Sequence, residues 1–347
     1  MGQFGFFDLS DRYASLDAKK DPLVQLDLMI PWEEFRADLE VVWRKERRRP
    51  ESFGGRRPWD AVAMFKALIL CSLYNLSDDQ VEYQLRDRLS FMRFLGLGLE
   101  DKVPDAKTVW MYREQLAQAG AVEGLFDRFD AFLKAAGYLA MGGQIVDASI
   151  MPAPRQHNSK EENAQVKAGE TPPEWEKKPA KLRQKDRDAR WTRKNNRSHF
   201  GYKNHIGVDR RHKLVRRWSV TAASTHDSQA IDDILDGANT ASGVWADSAY
   251  RSAEIEAKLK DRGLRSHVHR KARRNHPLSE REKQGNRTRS KVRARVEHVF
   301  GAQSNEMGGP LIRCIGLVRA KAVIGLRNIG YNMRRLIHLE RARAAPA

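Results

Sequence analysis

The sequence predicts an α+β protein with an all-helical N-terminal domain, a mixed-sheet domain and a C-terminal helix. Three observations support this prediction. Residues 23–137 carry apolar positions at helical spacing with few turn residues. After Gly142 and Gly143, short β-branched runs replace that spacing. The last amphipathic stretch, residues 322–339, returns to the helical period, with Arg327 expected on its outer face.

Length and composition limit the possible functions. The 347 residues exceed one average core and favour two domains or one domain with long insertions. The 63 Lys and Arg against 45 Asp and Glu leave a net charge of +18, which indicates a polyanionic partner. The longest apolar run, residues 61–76, contains Lys66 and is shorter than the roughly 20 residues that span a bilayer. With no signal-peptide pattern at the N-terminus, we expect a cytoplasmic, nucleoid-associated protein without a membrane partner.

Start signals divide the N-terminal part into helices. Pro58 is expected to open a helix at its first turn, followed by apolar residues on one buried face. Ser77 and Gln80 form a capping box before a second helix that extends to Leu89, and Asp105 is the expected N-cap of a third. The last two helices fit a helix-turn-helix, and they fit an ordinary antiparallel bundle equally well.

The mixed-sheet domain is predicted from short strands and turns. A charged, apolar-poor stretch at residues 156–196 is expected to form a long exposed insertion, in which Trp175 and Trp191 anchor the loop or, alternatively, stack on an unpaired base. The predicted strands are residues 144–147, 202–208, 214–221, 243–246 and 264–268, and the predicted helices are residues 227–235 and 252–260. This order of elements is typical of an RNase H-like domain.

Two aspartates and one glutamate stand out in this framework. Asp147 ends the first predicted strand, Asp247 ends the fourth, and Glu297 lies on a helix. Cleaving or joining a phosphodiester requires an activated nucleophile and a stabilised leaving oxygen, which two divalent cations about 4 Å apart can supply. Hard cations such as Mg²⁺ take oxygen ligands, so a few carboxylates suffice. We expect Asp147 to bridge both metals, and Asp247 and Glu297 to bind one each.

A densely basic segment precedes and surrounds Glu297. Only Glu280 and Glu282 offset its eleven cations, so phosphate neutralisation explains the segment better than a solvated face does. The cations are Arg270, Lys271, Arg273, Arg274, Arg281, Lys283, Arg287, Arg289, Lys291, Arg293 and Arg295.

Four ordered motifs resemble the DDE transposases of bacterial insertion sequences, specifically insertion-sequence family five. They are Gln144 to Ser149 (QIVDAS), Phe200 to Asp209 (FGYKNHIGVD), Trp245 to Tyr250 (WADSAY) and Arg293 to Gly301 (RARVEHVFG). Residues 58–97 also resemble the helical N-terminal domain of that family. Each motif alone is weak, whereas four in the right order are specific.

The resemblance implies an RNase H-like core, dependence on Mg²⁺ or Mn²⁺, recognition of terminal inverted repeats and target DNA, and action as a dimer or higher multimer. It makes Asp147, Asp247 and Glu297 the catalytic, metal-binding triad. The chain departs from the family pattern at Ser290, where a tyrosine is expected, and at Ser304, where a lysine is expected. The residues expected to contact DNA are Arg293, Arg295, Lys291, Arg289, Arg270, Lys271 and Lys203.

Other polar residues have simpler interpretations. Asp209 is expected to form a turn and Asp227 to lie in the first turn of a helix. His267 and His269 lack a third ligand at zinc spacing and are expected to be structural.

We predict a DNA-binding and multimerisation domain at residues 1–137, a catalytic domain at residues 138–312 and a packed C-terminal helix at residues 313–347. The expected activity is nicking at the 3′ ends of the element, followed by transesterification into target DNA. Two alternatives remain open: an RNase H-like nuclease or resolvase that joins no strands, and a domesticated, non-catalytic DNA-binding regulator.

Overall fold

A computed structural model describes residues 8–43, 58–272 and 276–344 of the chain. The chain divides into two compact units, Met1–Phe129 with Leu326–Ala347, and Asp130–Gly325. The predicted domain boundaries at residues 137 and 312 are not tested by this division and stay predictions.

The first unit is helical throughout its described residues, apart from turns and a short 3₁₀ helix at Trp32–Phe35. Its core is built from buried aromatic and aliphatic side chains, with Phe35 packed against Phe65 and Phe129. The helices are α1 Asp8–Ala18, α2 Pro22–Met29, α3 Arg36–Trp43, α4 Ala61–Tyr74, α5 Asp78–Asp87, α6 Leu89–Leu95, α7 Ala106–Gln118 and α8 Ala121–Ala135.

Two predicted helix starts in this unit are confirmed and one is wrong. Ser77 and Gln80 form the expected capping box, and the Asp105 carboxylate accepts the Thr108 N–H at 2.7 Å. Pro58 does not open α4. Asp60 caps that helix instead, because its carboxylate accepts the Ala63 N–H at 2.9 Å. The α4 side chains are buried around most of the helix, so α4 is a central helix and not one with a single buried face.

None of the helices in the described ranges is by itself long and apolar enough to cross a membrane; α4 and α5 satisfy length and composition only as a pair bent by 104°.

The second unit is organised around a six-stranded mixed sheet. Its strands are β1 Gln144–Pro152, β2 Arg190–Lys194, β3 Arg197–Asp209, β4 Val215–Ala222, β5 Gly243–Trp245 and β6 Arg265–Ser266. The long strand β3 pairs antiparallel with β1, β2 and β4, whereas β5 pairs parallel with β1 and β6 pairs parallel with β5. The predicted hairpin is therefore confirmed as β3 and β4.

Helices cover both faces of this sheet. One apolar cluster contains Val146, Val244 and Ala246 with residues of the helices Ile231–Ile234 and Ala253–Asp261, and another contains Met151 and Tyr202 with Ala320 and Ile324. The helices of this unit are α9 Lys160–Lys167, α10 Pro173–Glu176, α11 Pro179–Arg183, α12 Ile231–Ile234, α13 Ala253–Asp261, α14 Glu280–Arg293 and α15 Glu297–Gly301. The last helix, α16 Leu317–Ala344, belongs to this unit up to Gly325 and to the first unit from Leu326. A 3₁₀ turn at Ala294–Val296 joins α14 to α15, and a π-helical segment follows at Ala302–Glu306.

The charged insertion is exposed along most of its length, as predicted, but it is folded and not a loop. It contains α9 to α11 and strand β2, and a Ser159–Glu162 capping box starts α9. Trp175 is fully buried and donates its indole N–H to Glu162 at 2.5 Å, which confirms its anchoring role. Trp191 is 43% exposed and lies against Phe200, so only one of the two tryptophans is a core residue.

The last helix is longer than predicted, because α16 begins at Leu317 and ends at Ala344. Two carboxylates of the insertion hold its start: Asp186 accepts the Gly316 N–H and Asp188 accepts the Leu317 N–H. The expectation that Arg327 faces outward is wrong. Arg327 is only 4% exposed, and burial lowers its pKa to about 10.

Candidate active site

Two neighbouring parallel strands bring Asp147 and Asp247 to the same level of the sheet. In the β1–β5 register, Ile145 lies opposite Trp245. Asp147 follows Ile145 by two residues, and Asp247 follows Trp245 by two residues. Because side chains alternate along a strand, both aspartates belong to the face that carries Ile145 and Trp245. The face that carries Val146, Val244 and Ala246 is the apolar cluster beneath them.

The prediction that Asp147 ends its strand is wrong. Strand β1 continues to Pro152, and Asp147 lies opposite Ile206 of β3 in the middle of that pairing. It is β5 that stops, at Trp245, so β1 loses its parallel neighbour just before Asp147. Asp247 follows the end of β5 and caps the 3₁₀ turn Ser248–Tyr250, accepting the Ala249 N–H at 2.8 Å.

The helix α14 reaches Asp147 through an arginine. Arg293 Nη1 lies 2.8 Å from Asp147 Oδ2, and Asp147 Oδ1 accepts the Ala148 N–H at the same distance. Glu297 follows Arg293 by four residues and begins α15, directly after the 3₁₀ turn Ala294–Val296. It is exposed, whereas the Asp147 side chain is only 13% exposed.

Two other carboxylates act on the charge of Asp147. Burial raises the pKa of Asp147 to about 6, and the positive charge of Arg293 lowers it again in part. The charges of Asp247 and Glu297 both raise that pKa further, so both carboxylates lie within electrostatic range of Asp147. The fold therefore gathers three acidic residues that are 100 and 50 positions apart in the sequence.

The donor set fits a hard divalent cation in its chemistry, because three carboxylates supply the oxygen ligands that Mg²⁺ and Mn²⁺ prefer. Within residues 8–43, 58–272 and 276–344, however, no three His, Cys, Asp or Glu side chains are grouped closely enough to hold a metal ion as they stand. The Arg293 guanidinium occupies one oxygen of Asp147. The carboxylates are thus gathered around Asp147 without converging on a single point.

The two histidines beside the site have structural contacts. The backbone N–H groups of His267 and His269 donate to the carbonyl oxygens of Val244 and Ala246, which extends the parallel pairing beyond β6. The His267 ring stacks on Trp245 with centroids 4.5 Å apart. The His269 Nε2 atom lies 3.3 Å from Oγ of Ser290, the position at which the family pattern places a tyrosine. Burial lowers the pKa of both imidazoles, and nearby arginines lower it further.

Besides Arg293, five of the cations predicted to contact DNA lie on or beside α14. Arg270 is paired with Glu282 at 2.7 Å, and Arg289 donates to Asn286 and is partly buried. Arg295 donates to the carbonyl oxygen of Arg210. Lys271 and Lys291 are exposed. The neighbouring Arg273 and Arg274 lie outside the described residues.

Lys203 is placed differently from the other predicted DNA contacts. It lies opposite Ile150 in the β1–β3 pairing and therefore on the face away from Asp147. Its ammonium group contacts Asp227 at 2.7 Å and the Thr225 carbonyl at 2.7 Å, and its side chain is only 13% exposed. The structure thus separates Lys203 from the cations of α14.

The simpler assignments of two aspartates are confirmed. Asp209 accepts the His212 and Leu214 N–H groups in the hairpin turn, and it contacts Arg216, whose side chain also binds Asp130. Asp227 is the first residue of a 3₁₀ helix. The residue that the sequence analysis did not single out is Tyr250, which is fully buried beside the acidic residues. Its place three residues after Asp247 in a quoted motif was the only available signal.

Comparisons with known proteins agree with this architecture. Residues 139–333 match the transposase DDE domain family, and residues 10–115 match a second family, the transposase domain DUF772. No solved structure matches the chain.

Proposed function

Because the chain belongs to the transposase DDE domain family, we propose that it binds the terminal inverted repeats of a mobile element, nicks the 3′ ends of that element and joins them to target DNA. The family makes the protein a DNA transposase whose catalytic domain has the RNase H-like fold. Within that family, the four motifs support a place among the transposases of insertion-sequence family five.

We assign the chemistry to Asp147, Asp247 and Glu297. The observation that carries this assignment is the approach of two other carboxylates to Asp147: Asp247 follows the adjacent parallel strand, and Glu297 begins α15, four residues after the Arg293 that binds Asp147. Three sequence-distant carboxylates at the point where a strand loses its neighbour are hard to explain by packing, since grouping like charges in a partly buried place is unfavourable.

The three carboxylates would hold Mg²⁺ or Mn²⁺, which supplies activation of the attacking oxygen and stabilisation of the leaving oxygen when bound. The other residues of the site orient the ligands. Arg293 holds Asp147 in one rotamer and balances its charge, and the Ala249 N–H fixes Asp247 at the start of its turn. His267 and Trp245 form a stacked wall on the same face.

Basic residues beside the site support DNA as the partner. Lys271 and Lys291 are exposed, and Arg270, Arg289 and Arg295 lie next to them along α14. Cations that neutralise phosphates give affinity without sequence preference. We propose that this surface holds the DNA backbone near Asp147, and we leave Lys203 out of it because its charge is already paired with Asp227. Action as a dimer or higher multimer on DNA is part of the same proposal.

Substitution of the acidic residues tests the assignment. Asp147→Asn, Asp247→Asn or Glu297→Gln is expected to reduce Mg²⁺-dependent cleavage of element-end DNA by at least 10³-fold while leaving DNA binding nearly unchanged, an order of loss typical for the removal of a group that stabilises the transition state. Cleavage is measured on labelled duplexes and binding by mobility shift.

Glu280→Gln is the matched control, because Glu280 is an exposed carboxylate on the first turn of α14, the helix that ends at Arg293. It is expected to cleave at the wild-type rate. Full cleavage by any of the three triad variants would refute the assignment. A strand-transfer assay with pre-nicked ends then separates a transposase from a nuclease that only cuts.

A further inference from the structure

The hairpin of β2 and β3 extends beyond the other strands of the sheet. Before Gly201, β3 pairs as a strand with β2 alone. Asn195 and Asn196 form the two-residue turn, with φ of 49° and 59°, the left-handed backbone that a type I′ turn requires. At the base, the Trp191 ring packs on Phe200 with centroids 5.3 Å apart. The turn end of the hairpin is therefore a regular two-stranded ribbon.

This end of the hairpin carries positive charge only. Arg193, Lys194 and Arg197 are exposed, and the chain has no Asp or Glu between Asp188 and Asp209. Within the described part of the chain, no ion pair joins any of these three cations to a carboxylate. Lys194 lies directly opposite Arg197 in the strand pairing, where like charges destabilise a hairpin. Folding alone does not explain this pair.

The fourth cation of the hairpin has a structural role. Arg190 is partly buried and donates to the carbonyl oxygens of Val166, Arg187 and Ala189, so it holds the hairpin against the insertion. The other three cations make no comparable contact; the Nη2 atom of Arg193 lies 3.5 Å from a turn asparagine. They remain available to a partner.

Protection of the sheet edge explains only part of this charge. β2 is the edge strand of the sheet, and cations on edge strands prevent pairing with other chains. Arg197 is not on the edge strand, however, but on β3, which is paired on both sides farther along. Its place opposite Lys194 adds repulsion without protecting an edge. A polyanion accounts for all three cations together.

A groove of about 490 Å³ connects the hairpin tip with β1. None of the residues that line it is acidic, and two of its exposed side chains are tip cations. The lining residues are Ser149, Ile150, Lys194, Asn195, Arg197 and His199. The strand that supplies the first two of them also carries the catalytic candidate Asp147.

The tip lies within reach of a duplex that is bound at Asp147. Asp147 is opposite Ile206, and Arg197 precedes Ile206 by nine residues along β3. Nine residues of extended strand span at most about 30 Å. One helical turn of B-DNA measures about 34 Å. A DNA molecule with a phosphate at Asp147 therefore passes the tip within one turn.

We propose that the tip of the β2–β3 hairpin, with the cations Arg193, Lys194 and Arg197, binds the phosphate backbone of DNA within one helical turn of the bond cut at Asp147. The inference rests on the proposed function and adds a DNA contact apart from α14. Cations at phosphates position a duplex without reading its sequence. A phosphate near Lys194 and Arg197 also relieves their mutual repulsion.

The triple variant Arg193→Gln/Lys194→Gln/Arg197→Gln tests this contact in the full chain. Each lost phosphate contact lowers the slope of log affinity against log salt by about 0.9, so the slope is expected to fall by about 2 to 3. Fluorescence anisotropy over a range of salt concentrations measures it. Affinity is expected to fall by the same factor for element-end DNA and for an unrelated duplex of equal length. The thermal midpoint stays unchanged, because all three side chains are exposed.

Ethylation interference then locates the contact on the DNA. With the wild type, ethylation of phosphates within about ten nucleotides of the cut bond is expected to block binding. With the triple variant, a subset of these phosphates is expected to lose its effect, and the remaining subset marks the contacts of α14.

The matched control removes the same charge from α13. In Lys258→Gln/Lys260→Gln/Arg262→Gln, two of the three cations are paired with Asp232 in the wild type. Helix α13 packs in the apolar cluster with Val146, on the sheet face away from Asp147. This variant is expected to keep the wild-type salt slope and the wild-type interference pattern.

A wild-type salt slope in the tip variant, or a fall no larger than that of the α13 variant, would overturn the proposal and leave edge protection as the role of these cations. An unchanged interference pattern would overturn it as well. If the tip variant binds as the wild type while Asp147→Asn abolishes cleavage, only the role of the hairpin is lost. If the wild type neither binds nor cleaves element-end DNA, the proposed function falls and the inference falls with it.

Discussion

At the scale of single residues, Asp147 is held in an unfavourable environment. Its side chain is only 13% exposed, and the nearby charges of Asp247 and Glu297 add to the cost of its ionisation. Arg293 and the Ala148 N–H compensate for part of that cost, yet the pKa remains raised from 3.8 to about 6. Ionised groups that stay unfavourable in a folded protein are typical of functional sites.

This environment predicts that Asp147→Asn stabilises the protein at neutral pH in the absence of divalent cations. A folded-state pKa above the unfolded value means that ionised Asp147 costs stability above pH 6, by about 3 kcal/mol at most. The cost fades as the folded-state carboxyl protonates below pH 6 and is under about 1 kcal/mol near pH 4. Denaturant unfolding of both proteins at pH 7.5 and pH 4, with chelator present, measures the difference.

The exposed Asp261→Asn serves as the control, because it should change stability little at either pH. An Asp147→Asn protein that is less stable than the wild type at pH 7.5 would contradict the account of this residue. Arg293, Asp247 and Glu297, the charged groups that act on Asp147, are present unchanged in both proteins.

Sequence reasoning succeeded where a residue's role is local. Asp209 forms its turn and Asp105 its cap because the atoms they bind are three to five residues away. It failed for Arg327 and did not separate Lys203 from the other cations, because burial depends on residues distant in the chain. Tyr250 escaped notice for the same reason: its surroundings are assembled from separate strands and helices.

At the scale of elements, the insertion shows why a charged segment need not be disordered. Its composition is apolar-poor, but Trp175 concentrates the buried apolar area in one side chain. Glu162 binds the indole N–H and also accepts Lys181 at 2.9 Å, while the Lys185 ammonium lies 5.1 Å from the ring centroid. Charged residues thus surround the tryptophan. The charged composition led to the prediction of a loop, yet these charged side chains help to stabilise the folded insertion.

Trp175→Ala is expected to unfold the insertion locally. Removing a fully buried tryptophan costs about 3 to 5 kcal/mol, which exceeds what three short helices retain by themselves. Limited proteolysis is expected to cut within residues 160–185 of the variant and not of the wild type. Trp191→Ala, at a site that is 43% exposed, is the control and should remain resistant there. A protease-resistant Trp175→Ala insertion would show that other contacts hold this segment.

The helix that carries Arg293 and Glu297 is irregular where the site lies. A 3₁₀ turn interrupts it between the two residues, and the π-helical segment Ala302–Glu306 contains Ser304, the second departure from the family pattern. Interruptions of this kind often accompany functional sites. Sequence periodicity predicts a continuous helix here, because neither proline nor a glycine pair marks the irregularity.

At the scale of the whole molecule, the order of elements was predictable and the meeting of distant residues was not. Turn residues and β-branched runs located five of the six strands, and β2 was missed because it lies in a charged stretch. The approach of Asp247 and Glu297 to Asp147 was predicted only from the family resemblance and from the order and separation of the motifs. Periodicity alone gives no distance between a strand and a helix 150 residues apart.

The central claim is that Asp147, Asp247 and Glu297 together hold the catalytic metal beside DNA. Crystals of the protein grown with element-end DNA and Mn²⁺ test it most directly, through the anomalous scattering of manganese. The account predicts a manganese peak bounded by Asp147 and Asp247, with a Glu297 oxygen within about 2.5 Å of a bound ion. Manganese bound elsewhere, or bound at Asp147 with Glu297 turned away, would contradict it.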